Sequence, residues 1–129
     1  MKRVNKMLVE KKAEKEGFDI AFKNEKFKCA FIKYSKAYSF GKVYEMKRHN
    51  KTDEIFVLLK GMAVMLTMEE GKFLKTELEK DAAYSVQKGT WHYLALSEDA
   101  QVFVTENADT DSSNTDVKEL EMEYLLQMN

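Results

Sequence analysis

The chain of 129 residues contains no proline and a single cysteine, Cys29. With no proline and only five glycines, collagen-like and proline-rich disordered classes are excluded. One thiol makes no intramolecular disulfide, and a reducing compartment, the cytoplasm, is the simpler expectation. No apolar run approaches the roughly 18 residues that a membrane-spanning helix needs. The lysine-rich opening has no hydrophobic stretch of the secretory kind. Neither sign of charge dominates, since 21 lysines and arginines stand against 22 acids for a formal charge of −1. A dominant nucleic-acid binder would be strongly basic, so neither a nucleic acid nor a membrane is expected as partner. Histidine is scarce as well, with only His49 and His92.

Against these absences, hydrophobic residues make up 44% and charged residues 33%, enough for a core and a well-solvated surface. The length suits one domain spanning 1–129. Charge is uneven along the chain: residues 1–60 hold 16 basic and 8 acidic side chains, residues 61–129 hold 5 and 14. A fold that interleaves its halves would mix these charges over one surface. The opening, residues 1–17, lacks strand alternation and reads as a short helical arm with a thin apolar stripe at Val4, Met7 and Leu8, ending near Gly17.

From Phe18 the pattern changes. Phe27, Cys29 and Phe31 alternate with Lys26, Lys28 and Ala30, as in a half-buried strand. Further β-like runs follow at Gly41–His49, Ile55–Leu59, Met62–Met68, Lys72–Leu78, Ala83–Val86, His92–Leu96 and Val102–Glu106. Glu69-Glu70-Gly71-Lys72 reads as a hairpin turn. Many short strands without alternating helices predict an antiparallel sandwich or barrel over 18–107. After the polar loop Asn107–Asn114, Thr115 or Asp116 is placed to cap a helix over 115–129. Its apolar residues Val117, Leu120, Tyr124, Leu125 and Met128 share one helical face, directed at the sheet or at a partner subunit.

The histidines lie in patterned surroundings. Gly41, His49, Glu54 and Gly61 fall on the spacing of the first signature motif of the cupin superfamily, a glycine, five residues, His-x-His, three or four residues, a glutamate, six residues and a glycine. Gly89 and His92 fall on the second motif, G-x5-P-x-G-x2-H-x3-N. The chain thus resembles a small single-domain cupin over residues 41 to about 106. It departs from the pattern at Lys47 in place of the first histidine, Asp81 and Gln87 in place of a glycine and the proline, and Leu96 in place of the asparagine. The resemblance implies an all-β fold, the cupin-type double-stranded β-helix or jelly-roll barrel, here with short N-terminal and C-terminal helices. It also implies a divalent transition metal (Zn, Fe, Mn or Ni), which family members typically hold with three histidines and a glutamate. In this chain the matching ligands are His49, Glu54 and His92.

Elementary geometry bears on the same residues. Lys47 and His49, two apart in a strand, share a face, and Glu45 and Val43 share it with them. The four residues Asn50–Asp53 are few enough for a hairpin that sets the strands carrying His49 and Glu54 side by side. His92 is remote and needs barrel closure to join them. Two imidazoles and one carboxylate suit zinc, manganese or non-haem iron with positions left for water or substrate. Phe56 and Leu58 share the side of Glu54, and Leu94 that of His92, giving an apolar lining. Trp91 and Tyr93 point away from His92 under alternation. Lys47 either turns its ammonium into solvent or holds an anionic group beside the metal.

The predicted function is a small metal-dependent protein binding a polar metabolite, a sugar or carboxylic acid. Three readings stand: an isomerase, epimerase or oxygenase with Glu45 or Lys47 moving a proton; a non-catalytic binder whose metal site is degenerate at Lys47; or a dimeric accessory or structural module whose terminal helix faces a partner. Exposed strand edges and the amphipathic tail predict a homodimer.

Overall fold

The computed structural model describes residues 1–41 and 43–121, with Val43 described for its backbone only. Among the described residues, twelve strands account for nearly all regular structure. They are β1 (Lys2–Asn5), β2 (Leu8–Glu10), β3 (Gly17–Lys23), β4 (Phe27–Lys33), β5 (Val43–His49) and β6 (Glu54–Lys60). There follow β7 (Ala63–Glu69), β8 (Lys72–Glu77), β9 (Ala83–Val86), β10 (Trp91–Leu96), β11 (Gln101–Asn107) and β12 (Thr115–Glu121). Two five-stranded antiparallel sheets form, ordered β3-β4-β11-β6-β9 and β12-β5-β10-β7-β8, beside a separate β1–β2 hairpin. Apart from the β3–β4 and β7–β8 hairpins, neighbours in a sheet are remote in sequence, so strands must cross repeatedly between the layers. That is a jelly roll, as the pattern of short strands predicts.

Alternation decides what each sheet buries. Ile32, Phe56, Leu58, Met65, Leu94, Leu96, Val102 and Val104 point between the sheets and form the main core. Tyr44, Met46, Val64, Leu66, Tyr93 and Ala95, the alternate residues of β5, β7 and β10, build a second cluster on the far face of their sheet. β7 and β10 therefore carry apolar residues on both faces, the mark of a strand covered twice, whereas β5 turns Glu45, Lys47 and His49 to its other face. The β7–β8 hairpin closes as expected: Glu69 pairs with Lys72, and Glu70 and Gly71 both take positive φ (51° and 76°), as a two-residue type I′ turn requires.

At the motif positions for glycine the backbone explains both a match and a departure. Gly61 has φ +75, and a Cβ there would lie 2.7 Å from the Cα of Ala100, so no side chain fits. Asp81, standing where the motif has glycine, takes φ 66. Aspartate is among the few non-glycine residues that tolerate this left-handed region, so the turn survives the replacement.

Three expectations need correction. The N-terminal arm is not helical: β1 and β2 pair from Lys2–Glu10 to Asn5–Leu8, and the Asn5 side chain accepts from the Met7 amide to turn the chain. A helix needs a buried apolar stripe, whereas Met7 is 93% exposed. The expected C-terminal helix is a strand wherever it is described. Residues 115–121 pair with β5 in an unbroken register from Thr115–His49 to Glu121–Val43, which covers what would otherwise be a free sheet edge. Val117 and Leu120 thereby face opposite ways, the first into the barrel and the second onto the outer cluster. The local cap belongs instead to Asp111, whose side chain accepts from the Ser113 amide at the start of a short 3-10 turn. Tyr124, Leu125 and Met128 lie outside the described residues. The third correction concerns Asn50–Asp53, which form no hairpin: β5 and β6 belong to different sheets, and this link carries the chain across the end of the barrel.

Candidate metal centre

That crossing builds the site. His49 is the last residue of β5 and Glu54 the first of β6, so the two side chains approach from facing sheets. His92 sits on β10, directly opposite Lys47 of β5. Opposed residues in a ladder point to the same face, so His92 and His49 both face into the barrel. His92 Nε2 lies 3.1 Å and His49 Nε2 3.3 Å from the same Glu54 oxygen, Oε1. The ring centroids are 5.2 Å apart, and one donor atom from each of the three residues falls within 4.8 Å of the others.

The outer nitrogens are also engaged. His92 Nδ1 is 3.0 Å from the carbonyl oxygen of Thr90. A carbonyl only accepts, so Nδ1 carries the proton and Nε2 is the nitrogen presented to the site. His49 Nδ1 is 2.9 Å from the hydroxyl of Thr115 on β12. Rings held by the far nitrogen, with the near one turned to the shared carboxylate, are the arrangement that orients histidine toward a metal. The three donors, two imidazoles and one carboxylate, fit a divalent cation by type and by separation.

Electrostatics single out the carboxylates. Burial alone would push the Glu54 carboxyl up, but hydrogen bonds from His49 and His92, and the charge of His92, more than offset it and hold it well below the ordinary range. Glu106, at the inner end of β11, behaves oppositely. Burial, then the neighbouring Glu54 charge, raises its carboxyl from the ordinary 4.5 to about 7, although Lys28 lies 3.5 Å from its Oε1. Tyr38, on the 3-10 turn after β4, is raised to about 12 by burial and by the same two carboxylates.

The sign of the Glu106 shift yields a pH prediction. Below pH 4.5 Glu106 is protonated in both folded and unfolded chains and contributes nothing. Between 4.5 and about 7 the unfolded chain has ionised while the folded one retains its proton, so stability falls as pH rises, and the loss is complete above 7. Glu106→Gln, which never ionises, is expected to match the wild type at pH 4 and to melt several degrees higher at pH 8, measured with a chelator present. Equal melting temperatures at both pH values would refute the shift.

These groups line a cavity of about 670 Å³. Phe56, Leu94 and Ile32 supply its apolar wall; Glu45 and Lys47, both exposed, stand toward the opening. Leu58 lies deeper, in the core between the sheets. Lys47 shares the inner face as predicted and forms no ion pair among the described residues. It is not one of the three clustered donors. Trp91 and Tyr93 pack on the far side of their sheet, as alternation predicts. The Trp91 ring carries the cations of Arg48 and Lys118, each 4.6 Å from its centroid, and Tyr93 packs edge-on to Tyr44 at 4.9 Å. Cys29 is half-buried.

The sequence reading overlooked four residues at the site: Tyr38, Glu106, Thr110 and Thr115. Glu106 had a visible signal, because Val102, Val104 and Glu106 continue one alternation and the last is an acid on an inward face. Thr110 and Thr115 lie in or beside a polar stretch with no pattern.

No protein-family model and no curated protein sequence matches the chain. Solved structures do. A Bacillus halodurans protein superposes with TM-score 0.61 at 11% identity, over 76% of this chain and 74% of that one. A cupin-2 domain protein of Shewanella frigidimarina gives 0.52 at 17% identity, over 74% and 84%. The fold is that of a cupin. The same barrel also superposes on a 3,4-ketoisomerase, QdtA of Thermoanaerobacterium thermosaccharolyticum, solved in complex with TDP. There the TM-score is 0.57 at 13% identity, over 68% of this chain and 63% of that one. In this chain, which shares that fold, His49, Glu54 and His92 are close enough to hold a metal ion.

Proposed function

We propose that this cupin binds one divalent transition metal through His49, Glu54 and His92 and takes a small polar metabolite, a sugar or carboxylic acid, in the adjoining cavity. The observation that carries the reading is the convergence of two imidazole nitrogens on one buried carboxylate oxygen, at 3.1 and 3.3 Å, with both far nitrogens already engaged. A cation held there supplies Lewis acidity toward a carbonyl or hydroxyl oxygen of the ligand. The chain's own residues do the rest. Thr90 and Thr115 fix the two rings, Phe56 and Leu94 keep water from the inner wall, and Glu45 or Lys47 moves a proton at the open side. This supports an isomerase, epimerase or oxygenase.

One observation favours the second reading, a binder without catalysis: Lys47, directly opposite His92, holds the place of a further histidine ligand with a cation. In either case the exposed apolar residues Phe18, Ile20 and Phe22 of edge strand β3 favour a homodimer.

Elemental analysis of protein purified without a histidine tag tests the metal. About one transition metal per chain is expected, with a higher melting temperature on metal addition, because a ligand bound only to the folded state stabilises it. A metal-free protein whose melting temperature ignores added Zn, Mn, Fe and Ni would end the proposal.

A further inference from the structure

The outer face of the sheet β3-β4-β11-β6-β9 departs from ordinary alternation. An antiparallel sheet with one side in water carries polar residues on that side, yet here they are largely apolar. Phe31, Phe103 and Val57 are cross-strand partners on β4, β11 and β6 and form one row of this face, with the two phenylalanine rings edge-on at 5.7 Å. The next row is Cys29, Thr105 and Ile55, with Phe22 of β3 opposite Cys29. Phe27, at the start of β4, extends the apolar surface to the end of the sheet. None of these apolar side chains belongs to either buried cluster, and Ile55 and Phe27 are 39% and 50% exposed. The outer face of the other sheet shows the contrast, because Met46 and Ala95 there are wholly buried.

The make-up of the face suits a second copy of itself. Its charges stand at the margins: Asp19, on edge strand β3, is ion-paired with Lys11 at 3.2 Å, and Lys33 is the last residue of β4. Lys51, Asp53 and Lys88 rim a groove at the end marked by Phe27 and Ile55. An apolar centre with a polar rim is the anatomy of a protein interface. An uncharged centre does not select a charged partner, and it is complementary to itself, as a two-fold contact requires. The four seven-residue strands β3, β4, β6 and β11, with short β9, cover roughly 500 Å² in plan. Two such faces bury about 1,000 Å² together, enough for a specific dimer. Sheets of the same twist stack face to face about 10 Å apart, so the second copy needs no rearrangement of the first.

We propose that two copies of this cupin join through this outer face, sheet on sheet about a two-fold axis, with Phe31, Phe103 and Ile55 at the centre of the contact. This rests on the homodimer of the preceding section and gives it a surface. Continuity supports it, since β3 is the edge strand of the same sheet and carries the exposed Phe18 and Ile20.

Sedimentation velocity of the tag-free full chain over a range of micromolar concentrations tests this. The wild type is expected to sediment as a dimer. Ile55→Lys and Phe27→Lys are each expected to weaken it at least about tenfold, because a charge is buried unpaired and the two-fold axis repeats it. Both residues are partly exposed in the single chain, so the variants are expected to fold, which circular dichroism checks. Leu74→Lys, at a 67% exposed position on β8 of the other sheet, is expected to leave the dimer intact. Cys29, the only thiol of the chain, supplies a second readout. It lies in the covered row, so a maleimide should label it several-fold faster in Ile55→Lys than in the wild type. A wild type that is monomeric at every concentration overturns the inference together with the homodimer of the preceding section. A dimer that withstands Ile55→Lys and Phe27→Lys but dissociates in Ile20→Lys keeps that homodimer, places it on the β3 edge and removes this inference alone.

Discussion

His92→Ala is expected to lower metal affinity by at least about a hundredfold, since even outer hydrogen-bond partners of a ligating histidine are worth 10- to 100-fold. The argument is geometric. His92 supplies one of the three clustered donors found among the described residues and reaches the shared Glu54 oxygen at 3.1 Å. Its removal leaves one imidazole and one carboxylate, too few to hold a cation against a chelator. It also deprives the buried Glu54 of the neighbour that helps keep it ionised. Dialysis against a chelator followed by elemental analysis reads the effect, with zinc titration giving the fold-change. Lys47→His supplies the opposite arm. Position 47 faces His92 across the ladder, so an imidazole there adds a fourth donor and should raise affinity about tenfold or more. A His92→Ala protein that holds metal as tightly as the wild type would show that the three residues are not the site.

Leu58→Ala is expected to cost about 2–5 kcal/mol, the range for emptying a fully buried leucine site. A domain of this kind has about 5–15 kcal/mol in total, so the loss is a large share, and the melting temperature should fall by roughly 10 °C. Leu58 is 2% exposed and packs between the sheets opposite Val102. Its neighbour Leu59 points the other way and is 41% exposed. Leu59→Ala should therefore cost less than about 1 kcal/mol, as exposed positions usually do. Denaturant unfolding of both variants measures the contrast. Equal losses would mean that β6 does not present alternate faces to core and solvent.

Much of the β region was legible because its strands alternate. Ala83–Val86 has the bounds read from the sequence, and the runs around β5, β6, β7, β8, β10 and β11 differ from the observed strands by two residues or fewer at either end. Strands whose side chains must divide between core and solvent write that division every second residue. The two ends were illegible for the same reason in reverse. Residues 1–17 bury almost nothing, so no periodicity was imposed there. Thr115–Glu121 carries Val117 and Leu120 three apart, which suits a helical stripe as well as a strand with one apolar residue on each face. What selected the strand was the unpaired edge of β5, and no local pattern contains that information.

Composition, scarcity and spacing in this chain determined that it is β-rich, with both of its histidines at motif positions. Alternation also told which residues of β5, β6 and β10 share a face. Only the tertiary structure decided that Asn50–Asp53 crosses between sheets instead of closing a hairpin, and hence that Glu54 meets His49 and His92 from the facing layer. It alone brought Glu106 and Thr110 to the lining of the same cavity. The reason is the range of the forces: strand propensity acts between near neighbours, whereas edge pairing and the burial of a common core are settled among residues that lie tens of positions apart.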